Sequence, residues 1–186
     1  MSPPPLRADA ARNRERVLAV AQEAIDAGDA SLALNEIARR AGVGVGTVYR
    51  HFPTRQALLE AVADEPLDRL LEQARLAEAQ DDPLTGLARL VRAAVVVETG
   101  NAGVAEVLAA PYVADAATEA KKTELFAAAG RVLERARAGG AVRPDLDVGD
   151  IQRLVCGIGY AARLGDGDRD ERADRYTEML IAGMRP

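Results

Sequence analysis

The chain has 186 residues, of which 48% are hydrophobic, with 24 Lys and Arg against 29 Asp and Glu, one cysteine and one histidine. This composition excludes a disordered chain, and no apolar run reaches the roughly 18 residues needed to span a bilayer. A single cysteine and a single histidine exclude a disulfide scaffold and a zinc finger, and no secretory signal is visible. We therefore expect a cytoplasmic protein without a metal or cofactor.

The first 28 residues predict an arm followed by a helix. Aromatic residues make up only 3% of the chain, and β-branched residues rarely alternate with polar ones, which favours helix throughout. We expect residues 1–12 to form an extended arm that becomes helical near residues 10–13. An apolar stripe at three- and four-residue spacing then predicts a helix that ends near Gly28: Val17, Leu18, Ala21, Ala24 and Ile25.

Two short helices follow, joined at a glycine. Residues 34–41 predict a helix of two turns, which Gly42 ends because glycine readily adopts a left-handed conformation. Residues 44–52 predict the second short helix, and Pro53 closes it. Thr54 is a plausible cap for a fourth helix.

The rest of the chain predicts a second helical unit. We expect its border at Pro66, after the acidic pair at 64–65, and no fixed-period repeat indicates a solenoid. The spacing of Asp145, Asp147 and Asp150 superficially suggests a calcium loop, but a loop that caps the next helix is the better interpretation. The predicted helices cover 66–80, 83–99, 104–109, 118–138, 148–164 and 169–184.

Residues 34–52 carry the functional signal. A helix, a turn with glycine and a second short helix form the arrangement that presents one helix end to the DNA major groove. This groove is about 12 Å wide and admits one helix, and the small residues 44–46 permit close approach. Residues 1–60 hold 8 arginines against 7 acidic residues, so this part alone is not repelled by a polyanion.

This segment strongly resembles the DNA-binding domain of the TetR family of bacterial transcriptional regulators. The resemblance covers about residues 12–62, while the remainder resembles the family only in its length and helical character. Ala33 departs from the family pattern, which has Ser or Thr at that position. The matching residues are Ile37, Ala38, Ala41, Gly42, Val43, Gly46, Thr47, Tyr49, His51, Phe52, Arg55 and Leu58.

The resemblance implies an all-α fold of nine to ten helices. Residues 1–62 would form a helix-turn-helix DNA-binding domain, and residues 66–186 a helical domain that binds a ligand and dimerises. Two recognition helices about 34 Å apart would meet successive major grooves of a palindromic operator. We therefore expect a homodimeric repressor of transcription, released from double-stranded DNA by a small, largely apolar effector.

The same resemblance implies which residues contact DNA. Thr47, His51 and Arg55 would contact phosphates, Val45 would face base edges, and Tyr49 would do both. Asn35 matches a position on the second helix that reaches a base. The full expected set is Asn35, Val45, Gly46, Thr47, Tyr49, Arg50, His51 and Arg55.

A ligand pocket and a dimer interface are expected in the second unit. The resemblance places the interface on the last two long helices, here 118–138 and 148–164, and Cys156 is interpreted as core packing. The expected pocket residues are Glu98, Asn101, Tyr112, Phe126 and Tyr160. The expected interface residues are Val132, Val155, Gly159 and Ala162.

Two other classes of function were weighed. The weak charge excess of the first unit and the glycine-rich third helix leave open a helical ligand-binding or interaction protein that has lost operator binding. An enzyme would need a catalytic motif, and no nucleophile elbow, P-loop or dinucleotide fingerprint is present. We therefore expect a protein that is not an enzyme.

Overall fold

All regular structure in the computed structural model, which describes residues 5–29 and 31–186, is α-helical. The all-α prediction is confirmed. None of the helices in these ranges is both long and apolar enough to cross a lipid bilayer. Nine helices lie in the described ranges: α1 Pro5–Asp26, α2 Leu34–Ala41, α3 Val45–His51, α4 Arg55–Glu78, α5 Pro83–Gly100, α6 Ala102–Ala109, α7 Ala116–Ala138, α8 Val148–Ala162 and α9 Arg169–Gly183.

Helix α1 begins earlier than the sequence predicted. Residues 1–4 of the expected arm lie outside the described residues, and residues 5–12 are helical rather than extended. Alanine and arginine are strong helix formers and occupy much of this stretch, and Arg12 pairs with Asp9 one turn away. Local propensity therefore extends the helix toward the N-terminus.

Helix α4 runs without interruption through the predicted border at Pro66. A proline inside a helix removes one backbone hydrogen bond, which led us to expect two separate helices. Pro66 is itself buried, and one apolar stripe continues on both sides of it, from Leu58 and Val62 to Leu67 and Leu70. Packing of this stripe against the neighbouring helices offsets the lost hydrogen bond. Helix α4 is therefore one continuous helix that belongs to both predicted units.

Helix α5 lies at the centre of the C-terminal part. It packs against α4, α7, α8 and α9, and α8 and α9 also pack against each other. The approach of α4 to α5 is very close at Gly86, where a Cβ atom would lie 2.5 Å from the carbonyl oxygen of Ala77. Asp147 and Asp150 form a capping box at the start of α8, as the helix-cap interpretation predicted.

Candidate nucleic-acid interface and ligand cavity

The turn between α2 and α3 is fixed by hydrogen bonds. Gly42 has a φ of 60°, in the left-handed region that glycine enters without strain. The N–H of Val43 donates to the carbonyl oxygen of Ala38 at 3.0 Å and closes the end of α2. The Arg16 guanidinium, on α1, donates to the carbonyl oxygen of Ala41. These hydrogen bonds within the chain therefore hold α2 and α3 at a fixed angle.

Helix α3 has one buried and one exposed side. Val48 is buried, and so is Phe52, which follows the helix and has the Arg14 guanidinium 5.6 Å from its ring centroid. Thr47 is half-buried. The other side carries exposed residues of the predicted DNA-contact set: Val45, Gly46, Tyr49, Arg50 and His51.

Arginines near this exposed side are paired with carboxylates. On α2, which also exposes Asn35, Arg39 donates to Glu36 at 2.5 Å, and this hydrogen bond lowers the pKa of Glu36. Arg40 lies 3.4 Å from a carboxylate oxygen of Glu23 on α1. Positive charge beside α3 is therefore partly balanced within the protein.

Arg55 joins the predicted DNA-contact residues to the C-terminal helices. It is the first residue of α4, whose start is capped by the Thr54 hydroxyl, which accepts from the N–H of Ala57 at 3.1 Å. Its guanidinium donates to both carboxylate oxygens of Glu106, on α6, at 2.5 and 2.8 Å. This pairing lowers the pKa of Glu106 and connects α6 to the start of α4.

Asn101 lies outside the cavity that it was expected to line. Its side-chain oxygen accepts from the N–H of Gly103 and caps α6, while its amide nitrogen donates to Gln22, on α1, at 2.6 Å. Only 5% of Asn101 is exposed. Its observed role is to hold the junction of α5 and α6 against α1.

A small cavity lies among α4, α5, α6, α7 and α8. Its volume is about 60 Å³, and its walls are almost entirely aliphatic. Two of the expected pocket residues, Glu98 and Phe126, line it. The complete lining is Leu70, Leu87, Leu90, Val91, Ala94, Glu98, Leu108, Leu125, Phe126, Ala129, Val148, Ile151, Gln152 and Val155.

Glu98 is a buried acid in this apolar cavity. It is only 2% exposed, and within the described ranges its Oε2 atom has no hydrogen-bond partner. Burial raises its pKa to about 7, because an apolar environment disfavours the charged form. A hydrogen bond with the Cys156 thiol and the charge of Arg163 act in the opposite direction but less strongly.

Cys156 is half-buried on α8 beside Glu98. Burial and the neighbouring carboxylate raise its thiol pKa to about 11, so the sulfur is protonated at neutral pH. The side-chain nitrogen of Gln152 donates to this sulfur at 3.9 Å. This cysteine is therefore a weak hydrogen-bonding group rather than a reactive thiolate.

The two expected pocket tyrosines lie elsewhere. Tyr112 is 73% exposed and Tyr160 is 63% exposed, and neither lines the cavity. Gln152 and the aliphatic residues on one side of α5 were not among the expected pocket residues. The signal for that side was the spacing of three and four residues from Leu87 through Val91 and Ala94, which ends on Glu98.

The four expected interface residues face the interior of the protomer. Val132, Val155 and Ala162 are each at most 2% exposed, and Gly159 is buried against α5, where an added Cβ atom would lie 3.5 Å from the Cβ atom of Glu98. In the described part of the chain, the last two helices are α8 and α9, and α7 packs on α4 and α5 instead. The outer side of α8 and α9, with the turn between them, exposes Leu154, Gly157, Tyr160, Leu164 and Met179.

Two family models match successive parts of the chain. The model described as bacterial regulatory proteins, tetR family, matches residues 18–62. The model described as transcriptional regulator SbtR-like, C-terminal domain, matches residues 82–186, more than half of the chain. The chain belongs to the TetR family. It is a TetR-family transcriptional regulator with a helix-turn-helix DNA-binding domain.

Individual TetR relatives agree with this assignment. The TetR transcription regulatory protein from Mycobacterium vanbaalenii is 36% identical, with 98% of this chain and 100% of that chain covered and a TM-score of 0.52. LfrR from Mycobacterium smegmatis, solved in complex with proflavine, shares the fold at 24% identity, with 94% and 97% covered and a TM-score of 0.59.

Curated relatives match over the DNA-binding part. The HTH-type transcriptional regulator SAR0097 of Staphylococcus aureus (strain MRSA252) is 33% identical over 66 residues, which is 34% of this chain. This match spans 35% of that protein, so the chain covers about a third of the curated relatives it matches.

Proposed function

We propose that this TetR-family chain is a repressor that binds a palindromic operator as a homodimer and is released by a small, largely apolar effector. In this proposal, residues 1–62 bind DNA, and residues 66–186 dimerise and bind the effector. The observation that carries it is the division of α3, with Val48 and Phe52 buried and Tyr49 exposed beside two exposed basic residues, Arg50 and His51. A major groove admits a helix with this exposed side.

We assign the individual DNA contacts by chemistry. The hydroxyl of Thr47 and the ring N–H of His51 donate to phosphate oxygens, and Arg55 adds positive charge there. Val45 contacts a thymine methyl group, and Tyr49 contacts both a base edge and the backbone. Exposed Gly46 and Arg50 complete the contact surface on α3. Asn35, exposed on α2, pairs with the N6 and N7 edge of adenine.

We place the dimer interface on the outer side of α8 and α9. Of the nine large hydrophobic residues exposed in the described ranges, four lie on these helices or in the turn between them: Leu154, Tyr160, Leu164 and Met179. Gly157 lies on the same side of α8, and a Cβ atom there would meet nothing within 4 Å in the protomer. A two-fold axis through this side would bury the exposed residues against their own copies.

We assign effector binding to the cavity beside α5. LfrR, which has the same fold, was solved with a bound small molecule, proflavine. In this chain α5 leads through Asn101 into α6, which contacts α1 at Gln22 and α4 at Arg55. An effector that moves α6 would shift the DNA-binding helices, so effector and operator affinities would be reciprocally coupled.

Replacement of Tyr49 by alanine is expected to lower operator affinity about tenfold or more, because the ring lies at the centre of the exposed side of α3. The operator is first obtained by selection of bound fragments from a random DNA pool, and affinity is then measured by mobility shift over a range of salt concentrations. The wild type should show a steep salt dependence from counterion release. Tyr112→Ala, which removes another exposed tyrosine, on the loop between α6 and α7, is the matched control and should bind like wild type.

Two results would count against the proposal. If Tyr49→Ala and Tyr112→Ala lost operator affinity equally, α3 would not be the part of the chain that contacts DNA. The absence of any salt-dependent binding by the wild type would instead favour a helical ligand-binding protein that has lost operator binding.

Replacement of Glu106 by glutamine is expected to tighten operator binding about two- to fivefold at low salt. Arg55 must share or surrender its pairing with Glu106 when it contacts phosphate, and an exposed ion pair of this kind contributes only about 0.2–1 kcal/mol. Fluorescence anisotropy with labelled operator measures the change. Glu124→Gln removes the partner of Arg75 in the C-terminal part and should leave affinity unchanged. Weaker binding by Glu106→Gln would show that the pair positions Arg55 rather than competing with DNA.

A further inference from the structure

The cavity beside α5 has a strongly asymmetric lining. One side of α5 contributes aliphatic side chains at helical spacing, and Glu98 occupies the last position of that series. The walls from α4, α6 and α7 carry no charged residue among the described lining residues. The only other polar side chain of the described lining is the Gln152 amide, on α8. The cavity is therefore apolar apart from one end.

One carboxylate oxygen at the polar end has no hydrogen-bond donor. In the part of the chain that the structure describes, the Oε2 atom of Glu98 is buried and has no partner. The Cys156 thiol, on α8, is a weak donor, and the Arg163 guanidinium donates to the backbone carbonyl oxygen of Glu98 at 3.1 Å rather than to its carboxylate. Buried polar atoms are nearly always satisfied, so the orphaned oxygen indicates a missing donor.

We propose that this cavity binds a small primary amine with a short aliphatic chain, whose ammonium group pairs with the Glu98 carboxylate. The proposal rests on the effector function proposed above and names its ligand class. The ammonium supplies both the missing N–H donor and a compensating charge, and the alkyl chain lies against the leucine and valine walls. The amide oxygen of Gln152, on α8, is a second acceptor in the described lining.

Competing ligand classes fit the site less well. An alcohol would donate a hydrogen bond but leave the carboxylate charge uncompensated in an apolar environment, which is costly. A carboxylic acid would place a second negative charge beside Glu98. The cavity volume of about 60 Å³ also favours a compact molecule over a large ring system.

The place of Glu98 in the chain connects this site to the DNA-binding helices. Glu98 lies three residues before Asn101, whose amide holds the start of α6 against Gln22 on α1. Glu106, farther along α6, pairs with Arg55 on α4. An ammonium that draws Glu98 toward the cavity therefore acts three residues from the contact of Asn101 with α1, at the start of the helix that carries Glu106.

The test compares three probes with the same chain length, short enough for a cavity of about 60 Å³: ethylamine, ethanol and acetate. Binding to the full chain is measured by titration calorimetry at pH 8 and pH 6. Ethylamine should bind at least about tenfold more tightly than ethanol at pH 8, a difference of about 1.4 kcal/mol.

The affinity for ethylamine should also rise about tenfold from pH 6 to pH 8. An alkylamine stays protonated throughout this range, while Glu98, with a pKa of about 7, changes from mostly protonated to mostly ionised. Cys156 and Arg163 are the titratable groups that face Glu98 from α8 and its C-terminal end, and the Cys156 thiol, with its pKa raised to about 11, stays protonated over this range. At pH 6 binding should release close to one proton per amine.

Glu98→Gln should bind ethylamine and ethanol equally and lose the pH dependence. Glu65→Gln, which alters an exposed carboxylate on α4 that pairs with Arg69, should behave like wild type toward all three probes. The pH series on the wild-type protein uses no variant, so it tests the proposal even if Glu98→Gln fails to fold.

Several results would overturn this proposal: tighter binding of the alcohol or acetate, affinity for the amine that falls as pH rises, or no binding of any probe. Operator binding is measured separately without amine. If the protein binds its operator but not the amine, only the ligand assignment is wrong. If it does not bind an operator at all, the proposed function is wrong.

Discussion

Replacing Gly157 by arginine is expected to produce a monomer with operator affinity at least about a hundredfold lower than wild type. A dimer holds both recognition helices on one duplex, and linked sites of this kind gain a factor of about 10² to 10⁴ over single-site binding. Arginine at position 157 would place a charged side chain in the centre of the proposed interface on α8 and α9. Sedimentation velocity measures the oligomeric state, and mobility shift measures operator binding.

The substitution should leave the protomer intact. A Cβ atom at Gly157 meets nothing within 4 Å, and arginine has a higher helix propensity than glycine. Loss of the dimer would therefore reflect the interface rather than misfolding, which thermal unfolding can verify.

Gly130→Arg provides the matched control for this experiment. A Cβ atom at Gly130, on α7, also meets nothing within 4 Å, so the same chemical change is tested on the helix that the sequence analysis included in the interface. It should remain dimeric. A monomeric Gly130→Arg together with a dimeric Gly157→Arg would move the interface from α8 and α9 to α7.

The helix-turn-helix was predictable because its signals are local. Apolar positions a turn apart, the glycine at 42 and the cap at Thr54 each determine the backbone within a few residues, and the structure has α2, α3 and the start of α4 where these signals place them. The cap predicted at Asp147 follows the same logic. Interactions between residues close together in the sequence are enough to predict such elements.

Long-range packing decided the features that the sequence did not reveal. Pro66 is a helix breaker by itself, but the buried stripe on both sides of it keeps α4 continuous. Val155 and Gly159 were expected at a surface because small and apolar residues suit helix contacts, and they do form such a contact, but within the protomer. A sequence shows that a helix face is apolar, not which of two neighbours covers it.

The lining of the cavity was also hard to predict, because it depends on which helices pack together. The two expected tyrosines are exposed, whereas the lining comes from aliphatic residues on five helices. Glu98 was expected from the sequence to line the pocket, but its burial and its missing donor depend on how α8 packs against α5. Those properties determine its chemistry.

Replacing Glu98 by glutamine is expected to stabilise the protein at pH 8 by up to about 3 kcal/mol, with the difference shrinking toward pH 5. Burial raises the pKa of Glu98 from its ordinary 4.5 to about 7. Between these values the folded protein holds a proton that the unfolded chain has released, so the stability contributed by this residue falls as pH rises. Glutamine does not titrate and avoids the cost of the buried charge.

Denaturant unfolding of both proteins at several pH values between 5 and 8 measures this difference. Protein concentration is held fixed because association of protomers shifts apparent stability. Glu106→Gln is the control of opposite sign: Arg55 lowers the pKa of Glu106, so that carboxylate stabilises the fold above its ordinary pKa and loses this effect in acid. A Glu98→Gln protein no more stable than wild type at pH 8 would mean that Glu98 is already compensated in the folded chain, and the case for a ligand-supplied ammonium would lose its physical basis.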